Sequence, residues 1–138
     1  MIVLDTHILI WWLSGCHKLS TAARNAIEQE QKNNGCLIVS TITSWEIAML
    51  VNRGRLNLTM DLDSWLGFAQ QVDSLHFEPL SNKVAIESTR LPGQFHKDPA
   101  DRIIVALSRS LAAPLVTADE KILTYSHVKT ISQEADRE

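Results

Sequence analysis

The chain has 138 residues, 45% of them hydrophobic and 21% charged, a composition that suits one folded domain with one core and excludes general disorder. No stretch approaches the ~18 apolar residues of a membrane span, because Asp5, His7 and Arg109 interrupt the longest candidates. The apolar start lacks the basic opening of a signal peptide, so a cytoplasmic protein with no membrane partner is expected. The net charge of −3 argues against a surface that attracts nucleic acid everywhere. Locally the balance differs: from Lys83 to Arg109, Lys83, Arg90, Lys97, Arg102 and Arg109 face only Glu87, Asp98 and Asp101. Cys16 and Cys36 match no metal or redox spacing, which makes a reducing compartment the default and leaves a single disulfide open.

Without repeats, low-complexity tracts or linkers, residues 1–138 read as one domain, with a short polar tail from about residue 132. Ile2-Val3-Leu4 is a β-type run followed by a short helix through Ile8, Trp11 and Trp12. Ser20 caps a helix to about Lys32 that stops at Asn33-Asn34-Gly35, and residues 36–40 form a buried strand. Thr43 or Ser44 opens a helix ending near Gly54. Asp61 or Asp63 caps another through Trp65, Phe68 and Val72. A third strand spans 75–80, and Ser81 starts a helix that stops before Pro92-Gly93. Asp98-Pro99 is a strong start signal for a helix to Ala112, since proline is favoured at the first helical position. A strand over 114–117, a short helix over 119–125 and a strand over 128–131 complete the chain.

Strands alternating with helices predict a parallel sheet covered on both faces. Such sheets bind ligands beyond the carboxyl ends of their strands, near a topological switch point. Four acids fall there. Asp5 follows the first strand, Glu46 lies near the start of the helix after the second, Asp101 in the first turn of the long helix, and Asp119 just past the fourth strand; Asp98 is one turn from Asp101. Each has a structural explanation: Glu46 three residues after Thr43 fits a capping box, Asp98 before Pro99 fits an N-cap, and Asp101 and Asp119 suit helix starts. Asp5 is different, because it interrupts an apolar run where an unpaired carboxylate would be costly to bury.

Together the acids resist that explanation, since carboxylates crowded at one edge raise one another's pKa unless a cation neutralises them. Oxygen ligands without a cysteine or histidine cluster suit Mg²⁺ or Mn²⁺. The matching chemistry is water attack on a phosphodiester. Setting four carboxylates aside turns the surface count from −3 to +1, which admits a nucleic-acid partner. No Walker A loop, GxGxxG, DxD phosphatase motif, receiver-type acidic pair or GxSxG elbow offers a competing chemistry.

Val3-Leu-Asp-Thr-His7, Ser44-Trp-Glu-Ile-Ala48, residues 95–104 (FHKDPADRII) and Leu115-Val-Thr-Ala-Asp119 resemble, in order and spacing, the signature of PIN domains, and more narrowly of VapC-like toxins of type II toxin–antitoxin systems. The resemblance covers residues 2 to about 131. It implies a three-layer α/β/α sandwich with a mostly parallel five-stranded sheet, a homodimer, and a Mg²⁺- or Mn²⁺-dependent endoribonuclease. The substrate would be structured RNA of the tRNA or rRNA class, and a cognate antitoxin would occlude the site. By position Asp5, Glu46, Asp101 and Asp119 match the catalytic and metal-holding quartet, Asp98 has a secondary or capping role, and Thr6 and Thr117 would orient carboxylates. His7 departs from the asparagine of many members.

Arg102 and Lys97 are candidates for RNA phosphate, although an arginine in a first helical turn is more often solvated. Arg53 and Arg55 suit a helix end, and His96 either steers RNA or decorates a loop. Trp11, Trp12, Trp45 and Trp65 read as core or interface anchors rather than base-stacking platforms, with Trp12 and Trp45 placed to form a dimer or antitoxin groove. The competing function is a non-cleaving module whose acidic pocket receives an arginine of a partner protein.

Overall fold

A computed structural model of the chain describes residues 1–132, so the polar tail expected at the end lies, past Ser132, outside the described residues. In chain order the elements are β1 (Ile2–Leu4), α1 (Thr6–Leu13), α2 (Thr21–Lys32), β2 (Leu37–Ser40), α3 (Thr41–Asn52), α4 (Leu62–Gln70), β3 (Leu75–Glu78), α5 (Asn82–Glu87), α6 (Pro99–Leu111), β4 (Leu115–Thr117), α7 (Glu120–Leu123) and β5 (Thr130–Ser132). The five strands are all parallel and lie in the order β3-β2-β1-β4-β5. The strand order reverses between β1 and β4, which makes that junction the switch point.

The alternation of side chains along each strand builds two cores. Ile2, Leu4, Leu37, Val39 and Val116 point to one face, where Ile8 and Leu9 of α1, Ile27 of α2, Ile47 of α3 and Trp65 of α4 cover them. Val3, Ile38 and Leu115 point to the other, beneath Val84 of α5, Ile104 and Val105 of α6 and Ile122 of α7. The PIN-like sandwich expected from the sequence is thus present, helices on both faces of one sheet. Trp65 is buried at 6% exposure and Trp11 and Trp12 are half-buried against the first core, whereas Trp45 is 55% exposed and contributes to no core.

One helix start differs from the sequence reading. α3 begins at Thr41, capped by Ser40, whose hydroxyl accepts from the amide of Ile42 at 3.1 Å. Neither Thr43 nor Ser44 is the cap, and the Thr43–Glu46 capping box does not form, because the chain passes from strand to helix with no loop and the last strand residue itself satisfies the helix amides. Asp98 does cap α6, accepting from the amide of Asp101 at 3.0 Å, with Pro99 in the first turn.

The long connection between α5 and α6 is pinned from within. Arg102 Nε donates to the carbonyl of Ser88 at 2.7 Å, and one terminal nitrogen donates to the carbonyls of Phe95 and His96 at 3.0 and 3.1 Å. Tyr125 adds a hydroxyl donated to the carbonyl of Pro92. Arg102 is therefore not the solvated side chain that its first-turn position suggested: its planar fork serves carbonyls that the turn of the chain leaves without partners. Replacing Arg102 by alanine should cost roughly 2–3 kcal/mol of folding stability, and lysine should restore little of it. Urea unfolding midpoints measure this, and a change under ~0.5 kcal/mol would mean that the clamp holds nothing.

Candidate active site

The topology explains why distant acids meet. In a parallel sheet every helix that follows a strand starts at the carboxyl edge, and a helix that leads back into a strand runs antiparallel and also starts there. α1, α3 and α7 are of the first kind and α6 of the second, so the segments bearing Asp5, Glu46, Asp119 and Asp98 with Asp101 share one edge. They line a cleft of about 440 Å³ together with Thr6, His7, Trp11 and Ala118. Lys97, outside it, is exposed.

Hydroxyl groups place the carboxylates. Asp5 is 8% exposed and N-caps α1, its Oδ1 accepting from the amide of Thr6 at 2.9 Å. Its Oδ2 accepts from Thr117 Oγ1 at 2.7 Å, and the same oxygen of Thr117 accepts from the amide of Asp119 at 3.0 Å. Asp119 in turn caps α7 through the amide of Lys121 at 2.9 Å. On the other side, Thr6 Oγ1 donates to Glu46 Oε1 at 2.5 Å and lies 2.9 Å from Thr43 Oγ1. A hydroxyl has one proton, so Thr43 donates to Thr6 and the chain of bonds runs from Thr43 through Thr6 to Glu46.

His96 Nε2 lies 3.0 Å from Asp101 Oδ2, but without the alignment of a hydrogen bond. The carbonyl of His96 is held by Arg102, so the α5–α6 connection brings the imidazole onto Asp101 instead of leaving it in solvent. Two members of this site go beyond the sequence reading, in which Thr43 fits a helix cap and Trp11 fits a core or interface anchor rather than a base-stacking platform. Their spacing carried the signal, since Thr43 is three residues from Glu46 and Trp11 four from His7, each pair on one helical face.

The electrostatics record uncompensated charge. Burial, then repulsion by Asp5, Asp98, Asp119 and Glu46, pushes the Asp101 carboxyl from 3.8 up to about 8. Glu46 is raised by burial and by Asp5, Asp98 and Asp119, against the hydrogen bond from Thr6. Burial also raises Asp5, although Thr117 and the Thr6 amide oppose it. Such a site favours whatever brings positive charge: protons, a metal ion or a guanidinium.

Comparison with known proteins gives this arrangement a family. Residues 2–128 match the PIN domain family. Ribonuclease VapC22 of Mycobacterium tuberculosis is 33% identical over 132 residues, 95% of this chain and 96% of that protein. Among solved structures, VapBC2 from Rickettsia felis bound to a promoter DNA fragment superposes with a TM-score of 0.68 at 20% identity, covering 94% of this chain and 97% of that one. A toxin–antitoxin complex from Klebsiella pneumoniae gives a TM-score of 0.65 at 18% identity, covering 96% and 98%. The fold, the match along the sequence and the identity to the mycobacterial relative agree: the chain belongs to the PIN-domain family.

Proposed function

We propose that the protein is a metal-dependent endoribonuclease acting as the toxin of a toxin–antitoxin pair. The observation that carries this reading is the convergence of Asp5, Glu46, Asp101 and Asp119 on one cleft, with Asp101 pushed up to about 8. A divalent cation fits on donor chemistry, because every candidate ligand is a carboxylate oxygen and the raised carboxyls mark charge left to neutralise. Among the described residues no three acidic, histidine or cysteine side chains are gathered so as to hold a metal ion by themselves. An ion such as Mg²⁺ needs no such group, since it keeps part of its water and takes one or two carboxylates directly. Of Asp5, Asp101 and Asp119, one or two would hold it directly and the rest through its waters, with Glu46 beside them.

When bound, the ion supplies a more acidic water and offsets charge on the phosphodiester. Glu46 has one oxygen fixed by Thr6, which leaves the other to orient the attacking water and accept its proton. The water oxygen bonds to phosphorus as the bond to O3′ breaks, and the leaving oxygen takes up a proton, giving a 5′-phosphate and a 3′-hydroxyl. Asp98 and Asp119 fix the helix starts on which the site is built. Lys97 is available to substrate phosphate; the Arg102 donors are engaged by carbonyls. The substrate in this reading is structured RNA of the tRNA or rRNA class. An antitoxin and a second copy of the chain would cover apolar surface, of which Trp45 on α3 and Phe68 on α4, 55% and 57% exposed, are the largest side chains.

The purified protein should cut total RNA in Mn²⁺ or Mg²⁺ and leave 5′-phosphate ends, stop in EDTA, and lose at least ~10³-fold in rate as Asp101→Asn. Cleavage by the folded variant at the wild-type rate would sink the nuclease reading, and tight binding of an arginine-bearing peptide without any cleavage would favour the non-cleaving module.

Stability supplies a second check. Between about pH 4 and 8 native Asp101 keeps a proton that the unfolded chain releases, so the metal-free protein loses stability as pH rises, by up to ~1.4 kcal/mol per pH unit. Asp5 and Glu46 act with the same sign. In EDTA the melting temperature should fall from pH 5 to pH 8; Mn²⁺ should raise it at pH 8 and far less at pH 5. Asp101→Asn should flatten both dependences, and a wild type as insensitive as the variant would contradict the charge assignment.

A further inference from the structure

Among the described residues, the lining of the cleft apart from its carboxylates is Thr6, Ala118, His7 and Trp11, while His96, 3.0 Å from Asp101, opens instead onto a separate cavity with Phe95 and Tyr125. Thr6 is committed to Glu46 and Thr43, and Ala118 offers one methyl group. A nucleotide that sets its phosphodiester among the acids therefore has two surfaces for its base, the rings of His7 and Trp11. Four residues apart on α1, they stand on one helical face with centroids 5.8 Å apart and planes inclined by 52°. At that inclination both cannot lie flat on one base, so one ring stacks while the other meets its edge. The wall has a buried backing: Ile8, Leu9 and Ile10 of the same helix are buried, and Trp11 both packs against the first core and lines the cleft.

We propose that His7 and Trp11 form a nucleobase-stacking wall that seats an unpaired base next to the scissile phosphodiester. The inference rests on the nuclease reading of the same cleft. Stacking tolerates any base but demands one free of its helix, so the wall directs cleavage to single-stranded or splayed positions.

The test uses full-length Asp101→Asn protein in Mg²⁺, titrated with a single-stranded oligoribonucleotide and with a blunt RNA duplex while tryptophan emission is followed. Single-stranded RNA should quench emission and the duplex should not. Trp11→Phe should abolish most of the quench while holding affinity within about threefold, because a stacking ring remains. Trp11→Leu and the exposed-site variant His7→Leu should each weaken single-strand binding by roughly tenfold or more, with melting curves checking that Trp11→Leu is folded. Unchanged affinity in folded His7→Leu and Trp11→Leu, or an unchanged quench in Trp11→Phe, overturns the proposal. If the same changes in the cleaving protein leave its rate and KM as in wild type, the wall fails and the nuclease stands. Quenching that depends on Trp11 in a protein that cuts no RNA supports the wall and removes the nuclease.

Discussion

The carboxyl edge of the sheet depends on one buried carboxylate, that of Asp5. A charge in this position is costly unless its oxygens are occupied, and they are occupied from two different elements, by the amide that begins α1 and by the hydroxyl that ends β4. The amide of Asp5 also continues the sheet ladder to the carbonyl of Val116. One residue thus joins a strand, the helix that follows it and the strand across the switch point. From it Thr117 passes the constraint to Asp119, and Thr6 passes it to Glu46. The carboxylates of Asp5 and Glu46 are positioned by hydroxyl groups of their neighbours, and those of Asp98 and Asp119 by the amides of the helices they cap.

Helix capping alone does not account for this gathering of acids. A carboxylate at a helix N-terminus gains ~0.3–1 kcal/mol from the dipole, which suffices to explain Asp98 or Asp119 taken singly. With the Asp101 carboxyl raised from 3.8 to about 8, keeping it protonated at neutral pH corresponds to a penalty on the order of 4 kcal/mol, several times what a dipole returns. A fold selected only for stability would avoid it. Strain of this size, confined to one cleft in a chain whose other charges are mostly exposed, is what a site awaiting an external positive charge produces.

The sequence made most of this legible because its signals were local. Asp98-Pro99 marks a helix start through two adjacent residues, and the alternation in Ile2-Val3-Leu4 puts its side chains on opposite faces whatever lies beyond. The start of α3 was misplaced because Ser40, Thr41, Thr43 and Ser44 are all competent caps, and only pairing of β2 with its neighbours decides among them. Thr41, left over, accepts instead from the amide of Leu80. The role of Arg102 was hidden for a different reason: its partners are carbonyl oxygens of Ser88, Phe95 and His96, and a carbonyl looks the same in every residue. His96 reaches Asp101 only because that clamp exists, so its place could not be read from its neighbours either.

What the edge does chemically also depends on strand register. β1 has three residues, all buried, and its pairings Val3 with Leu115 and Leu4 with Val116 set how far Asp5 projects past the sheet. A slip by one residue would exchange the two faces of β1 and move Asp5 away from Thr117. The residues that follow would move with it, since Thr6 orders Glu46 and His7 and Trp11 line the cleft from α1. Carboxylate, hydroxyl and aromatic rings are therefore fixed by one short strand whose apolar side chains face two separate cores. The same burial that stabilises the fold sets the site geometry, so a core substitution in β1 acts on the cleft without touching any residue that lines it.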